Sequence, residues 1–317
     1  MRVGVVVLPE HRWEQARAVW RGVEDMGFDH AWTYDHLSWR SLREGPWFGT
    51  YATLTAAATV TERIRLGTLV TSPNFRHPVT WAKEIMSIDD ISGGRVIAGI
   101  GAGGGGYDAE VLGQAQLSAR EKALRFHEFV ELADGLLRRE THDYEGRFYT
   151  ARGARMAPGC VQRPRVPFAI AATGPRGLRL AARFGQMWVT NGDPKRFAAV
   201  PEAESLRLIR DQLRQFGLAC EEAGRDVAEV ATMVNGSVVG EEPLASVERF
   251  VDFAGSCAQA GFTDLTVHYP RPEGPFASDL RVFERIARDA LPVVRRMQPA
   301  PPRGTAADTE KCSGREN

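Results

Sequence analysis

Short runs rich in β-branched residues alternate along nearly the whole chain with longer segments of helical period. That alternation restricts the chain to parallel sheets faced by helices. The runs that read as strands are Val3–Leu8, His30–Tyr34, Ile64–Val70, Val96–Ile100, Pro167–Ala171, Met187–Thr190, Glu229–Val239 and Leu265–His268. Between them lie helical segments at Glu14–Met26, Ala52–Val60, Val79–Ile91, Ala119–Arg139, Leu178–Phe184, Glu202–Ala223, Leu244–Ala260 and Leu280–Met297. In the first helix Ala16, Val19, Trp20 and Val23 recur on one face, and Gly27 ends it. Pro73 stops the third strand, because proline cannot donate to a ladder, and Ser92-Gly93-Gly94 closes the helix that follows. The segment Tyr144–Tyr149 reads as a small hairpin inserted before the fifth strand.

About eight strands alternating with about eight helices is the count that closes a parallel barrel. The competing arrangement, a doubly wound sheet, calls for a glycine-rich dinucleotide fingerprint after its first strand, and none is present. The expected fold is therefore a (β/α)8 TIM barrel with short insertions, one domain over residues 1–297. The proline-rich, apolar-poor stretch at 298–317 is expected to be a disordered tail.

Among the 317 residues, Lys+Arg and Asp+Glu number 40 each, which removes the clustered positive charge on which nucleic-acid binding depends. The four cysteines, Cys160, Cys220, Cys257 and Cys312, are far apart and show no metal-ligand spacing, so no metal site is expected and a reduced, cytoplasmic protein is. The opening MRVGVVVLPE is too short an apolar run for a signal peptide. No run reaches the length of a membrane span.

In such a barrel the chemistry belongs to the loops that follow the strands. Asp35 and His36 close the second strand; a histidine beside an acid is suited to proton transfer, although it can equally be a hydrogen-bonded strand end. Gly101–Gly106 follows the fourth strand and lets backbone approach a ring or phosphate with no Cβ in the way; the alternative is a flexible loop. Thr173-Gly174-Pro175-Arg176-Gly177, at a helix start, suits a phosphate; the alternative is a tight connection capped by Thr173.

The stretches GFDHAWTYDHL, LGTLVTSPNFRHPVTWAKEI, DDISGGRVIAGIGAGG and ATGPRGLRLAARFGQMWVT, in this order, resemble the luciferase-like monooxygenase superfamily over roughly residues 1–295. The resemblance implies a TIM barrel with FMN or the deazaflavin coenzyme F420 as cofactor. Asp35 and His36 look like the Asp-His pair that the F420-dependent branch places beside the ring, where the histidine handles protons while hydride moves at C5. Leu69 and Val70 correspond to a bulge behind the ring, often a non-prolyl cis peptide, with Thr71 after it. Gly101, Ala102 and Gly103 would border the ring, and Thr173, Gly174, Pro175 and Arg176 would seat the cofactor phosphate. Trp39 and Trp188 become candidate walls of the substrate pocket, and a homodimer is implied by family habit.

One position departs from the pattern. The sugar-phosphate dehydrogenases of the F420 branch carry a glutamate directly after the Gly-x-Gly of strand four, and this chain has Gly104 there, with Asp108 and Glu110 further on. The expectation is thus an F420-dependent oxidoreductase that reduces a C=N or C=C bond of a small organic molecule. An FMN-dependent monooxygenase and a non-catalytic flavin-binding barrel are the alternatives.

Overall fold

A computed structural model describes residues 1–37, 39–104, 107–193 and 200–300. Eight parallel strands close a barrel: β1 (Arg2–Val6), β2 (His30–Thr33), β3 (Arg65–Thr68), β4 (Val96–Gly101), β7 (Phe168–Ala171), β8 (Met187–Thr190), β9 (Ala231–Asn235) and β10 (Asp264–His268). Around the barrel they run β1-β10-β9-β8-β7-β4-β3-β2, and β2 pairs back onto β1 with Gly4 opposite His30. The hairpin is β5 (Thr141–Glu145) against β6 (Thr150–Arg155), antiparallel and outside the barrel. It is tied to the helix before it by Glu128, which accepts from the Phe148 N–H at 2.8 Å.

The helices are α1 (Trp13–Asp25), α2 (Thr50–Val60), α3 (Pro78–Ile91), α4 (Tyr107–Val111), α5 (Ala119–Arg138), α6 (Pro175–Phe184), α7 (Glu202–Glu222), α8 (Gly236–Val239), α9 (Val247–Ala260), α10 (Leu280–Arg285) and α11 (Leu291–Arg295). Where α1 meets the barrel it buries Ala16, Trp20 and Val23, as its periodicity predicts. Helix α5 starts in a capping box: Ser118 Oγ accepts from the Glu121 N–H, and the Glu121 carboxylate accepts from the Ser118 N–H. Because strand side chains alternate, the core is two layers. Trp32, Ile97, Met187, Val189 and Met233 fill the barrel interior, while Trp20, Trp81, Phe129, Trp188 and Phe253 pack between strands and helices.

The hairpin strands reach beyond the expected Tyr144–Tyr149, and four further features differ from the sequence expectations for physical reasons. The ladder of β3 ends at Thr68, ahead of a cis Leu69–Val70 peptide bond. The run Glu229–Val239 is strand only over Ala231–Asn235; its β-branched end folds into α8, where Gly236 lets the backbone pass Leu265 (a Cβ would stand 2.7 Å from Leu265 Cδ1). The last helix is split by a π turn at Ile286–Ala290, just before Pro292, which lacks the N–H needed to continue an α ladder. Helix α4 has only five residues, too few for periodicity to reveal. Residues 301–317, which hold most of the expected tail and Cys312, lie outside the described residues, as do Gly105 and Gly106.

Candidate active site

Strand β2 delivers three consecutive polar side chains to the barrel mouth, and alternation sends them different ways. Tyr34 lines a large cavity there and its hydroxyl lies 2.8 Å from His268 Nε2. Burial pushes the Tyr34 hydroxyl upward and the His268 imidazole down to about 3, so at neutral pH both are uncharged. His268 also stacks on Phe276, with ring centroids 3.4 Å apart.

Asp35 turns away from the cavity into the protein. It is fully buried, accepts from Thr71 Oγ1 at 2.8 Å, and takes a two-pronged bond from Arg76 (Nη2 to Oδ1 2.8 Å, Nε to Oδ2 3.2 Å). Thr71 is bonded in turn to the Tyr51 hydroxyl, which accepts from Trp81 Nε1. The guanidinium of Arg76 lies 4.6 Å over the Tyr51 ring. Asp35 is thus not the hydrogen-bond partner of its neighbour, and neither Asp35 nor Thr71 borders the cavity. Both belong to a buried network that ties the ends of β2 and β3 together. The adjacency Asp35–His36 in sequence does not become contact, because successive residues at a strand end face opposite sides.

His36 does line the cavity, and its acid partner comes from elsewhere. Asp108, the second residue of α4, places Oδ2 2.8 Å from His36 Nδ1 and accepts the Leu37 N–H on Oδ1 at 2.7 Å. The Asp108 side chain is 2% exposed and that of His36 is 23% exposed.

The end of β4 forms one wall. Gly101, Ala102, Gly103 and Gly104 line the cavity together with Leu69 and Val70 of the cis bond. The close approach of the two loops requires glycine at 101, where a Cβ would stand 2.6 Å from Val70 Cγ2. It also requires glycine at 103, whose φ of +81° is paired with a would-be Cβ contact of 2.4 Å to Asn74.

Beyond β7 the chain turns into α6 with Gly174 as N-cap and Pro175 in the first turn. No side chain caps this end, which overturns the alternative in which Thr173 does so. The first-turn N–H groups of Arg176 and Gly177 therefore have no intrahelical acceptor and carry the positive end of the helix dipole. Thr173, Gly174, Pro175 and Arg176 all line the same cavity as His36. Arg179 and Arg183, one and two turns on, line it too, so one edge of α6 adds cationic groups. The spacing Arg176, Arg179, Arg183 was visible in the sequence as a helix face, but helical spacing alone does not say what the face borders.

Of the two tryptophans, Trp39 stands on the cavity wall, tilted against Tyr34 and stacked between Trp47 and Phe276. Trp188 does not. It points outward from β8, is fully buried against Phe216 and Phe262, and donates its indole N–H to the Ala172 carbonyl at 2.8 Å. Period-two alternation puts Met187 and Val189 inward and Trp188 outward.

The cavity holds about 1590 Å³ and runs from Tyr34 and Trp39 over the glycine wall to α6. No group of three or more His, Cys, Asp or Glu side chains among the described residues is placed to hold a metal ion. No helix of the described residues is long and apolar enough to cross a membrane.

Known proteins are similar to this chain in sequence and in architecture. Over 260 residues the chain is 31% identical to a 5,10-methylenetetrahydromethanopterin reductase of Archaeoglobus fulgidus, covering 78% of this chain and 73% of that one. Over 324 aligned positions it is 29% identical to an F420-dependent glucose-6-phosphate dehydrogenase of Beutenbergia cavernae, covering 86% and 90%. A solved F420-dependent secondary alcohol dehydrogenase superposes with a TM-score of 0.76 at 18% identity, covering 93% of this chain and 99% of that one, which establishes the shared barrel. The profile described as luciferase-like monooxygenase matches residues 1–282, a span that contains every strand of the barrel and every residue of the cavity wall, and the chain belongs to that family.

Proposed function

We propose that this protein is an F420-dependent oxidoreductase that moves hydride between the deazaflavin and a small organic substrate, in the reducing direction, onto a C=N or activated C=C bond. The observation that carries the proposal is the convergence of His36, the glycine wall and the uncapped start of α6 on one cavity. The relatives support the choice of cofactor, since several of them are named F420-dependent enzymes.

The residues present fit such a group. Gly101–Gly103 and Leu69–Val70 make a slot that a Cβ at position 101 would narrow, suited to a flat ring. The free N–H groups at the start of α6, with Thr173 and Arg176, suit its phosphate. When bound in its reduced form, F420 would supply a hydride from its C5 position and be oxidised as the substrate is reduced. The chain's own part is then to orient, to exclude water and to handle a proton. Trp39 and Tyr34 screen one side of the cavity, and His36 holds or releases the proton that accompanies reduction. Gly104 offers no carboxylate next to the ring, which supports reduction of a neutral unsaturated bond over oxidation of a sugar phosphate.

Equilibrium titration followed by absorbance tests the cofactor. The expected result is tighter binding of F420 than of FMN, and oxidation of reduced F420 when cyclohexenone or a cyclic imine is added under nitrogen. Binding of FMN alone, with oxygen-dependent turnover, would make the protein an FMN monooxygenase instead.

A further inference from the structure

The geometry points to Asp108 as the positioning residue that fixes the tautomer and direction of His36, a role that rests on His36 being the proton-handling group. A neutral imidazole has one N–H and one lone pair, and the hydrogen bond at one nitrogen decides what the other presents. In this site each oxygen of Asp108 has a partner. Oδ1 takes the Leu37 N–H at 2.7 Å and Oδ2 faces His36 Nδ1 at 2.8 Å. With a carboxylate oxygen as acceptor at 2.8 Å, the geometry makes His36 Nδ1 the N–H. Nε2, the nitrogen with no protein partner among the described residues, is left to exchange the proton with whatever occupies the cavity.

The same carboxylate also holds the backbone of residue 37, so it clamps the loop as well as the ring. Asp108 is almost wholly buried, and the short helix α4 that bears it follows the glycine wall. One group thus couples the loop after β2 to the loop after β4, so the histidine and the cofactor slot are set by a shared element. Sequence adjacency had suggested Asp35 for this duty, and the structure gives Asp35 to Arg76 and Thr71 instead.

Asp108→Asn separates the electrostatic role from the shape. The asparagine oxygen keeps the Leu37 N–H, which leaves its NH2 group facing Nδ1. Two donors cannot face each other, so Nδ1 must become the acceptor and the neutral ring flips to the Nε2–H form. Nitrogen and carbon NMR of histidine-labelled full-length protein, at a pH where the ring is neutral, reads the tautomer without any substrate. The expected results are Nδ1–H in the wild type and Nε2–H in Asp108→Asn. With reduced F420 and cyclohexenone, kcat should fall about 10- to 100-fold while the Kd for F420 changes less than about threefold, in line with the effect of losing an orienting partner. Asp108→Glu, which keeps the carboxylate, should restore Nδ1–H and part of the rate.

An Nε2–H wild-type ring would overturn the assignment, and that measurement does not depend on any variant folding. So would an Asp108→Asn protein that loses rate with an unchanged tautomer, or one that flips the tautomer with kcat unaltered. Failure of F420 to bind would refute the proposed cofactor, and the tautomer measurement would still decide the role of Asp108.

Discussion

Arg76 grips both carboxylate oxygens of Asp35, at 2.8 and 3.2 Å, directly behind the turn that carries His36. The pair is a structural tie between the ends of β2 and β3. Asp35→Asn should therefore cost stability first. Removing one partner of a fully buried ion pair costs roughly 3–5 kcal/mol, and the 20% exposure of Arg76 lowers the expectation to about 2–3 kcal/mol. Chemical denaturation should show that loss, and a variant as stable as the wild type would refute the tie.

The glycine wall yields a contrast between two neighbouring positions. A side chain at Gly101 runs into Val70 at 2.6 Å, whereas at Gly104 nothing stands within 4 Å. Gly101→Val should narrow the slot and weaken F420 binding by at least about tenfold, equivalent to ~1.4 kcal/mol. Gly104→Ala should leave affinity within about twofold. Equal effects at the two positions would show that the wall does not border the cofactor.

Two buried groups of β10 predict a pH dependence of folding. Burial lowers the His268 imidazole from its ordinary 6.5 to about 3. Below pH ~6.5 the unfolded chain takes up a proton that the folded chain refuses until about pH 3. Stability from this group is therefore complete above 6.5 and declines as pH falls toward 3, by about 1.4 kcal/mol per pH unit. Asp264 acts lower down. Its burial alone would raise it, but His30 and Arg2 bring it to about 2, so its contribution is lost only between its ordinary 3.8 and 2. Between pH 6.5 and 4 the stability of His268→Gln should fall less steeply than that of wild type. Identical slopes in the two proteins would contradict the prediction.

Much of this architecture is legible in the residues. The β-branched runs locate all eight barrel strands because parallel strands are buried on both faces and need continuous apolar sequence. The loops at Gly101–Gly103 and Thr173–Arg176 are legible because a barrel concentrates function after its strands. What stays hidden is orientation and long-range pairing. Trp188 and Trp39 look alike in sequence, but alternation along β8 sends Trp188 into the core, while the loop after β2 carries Trp39 to the cavity. Asp108 is 72 residues from His36, on a single turn of helix, and no local pattern joins them. Asp35, adjacent to His36, attracts attention that belongs to Asp108.

The sharpest test is the rate of oxidation of bound, reduced F420 by cyclohexenone in His36→Ala, compared with its F420 affinity. Loss of a positioned acid–base group predicts a rate lower by about 10²–10⁴ with affinity nearly unchanged. Turnover equal to that of the wild type would contradict the assignment of His36, and with it the chemistry proposed for this cavity.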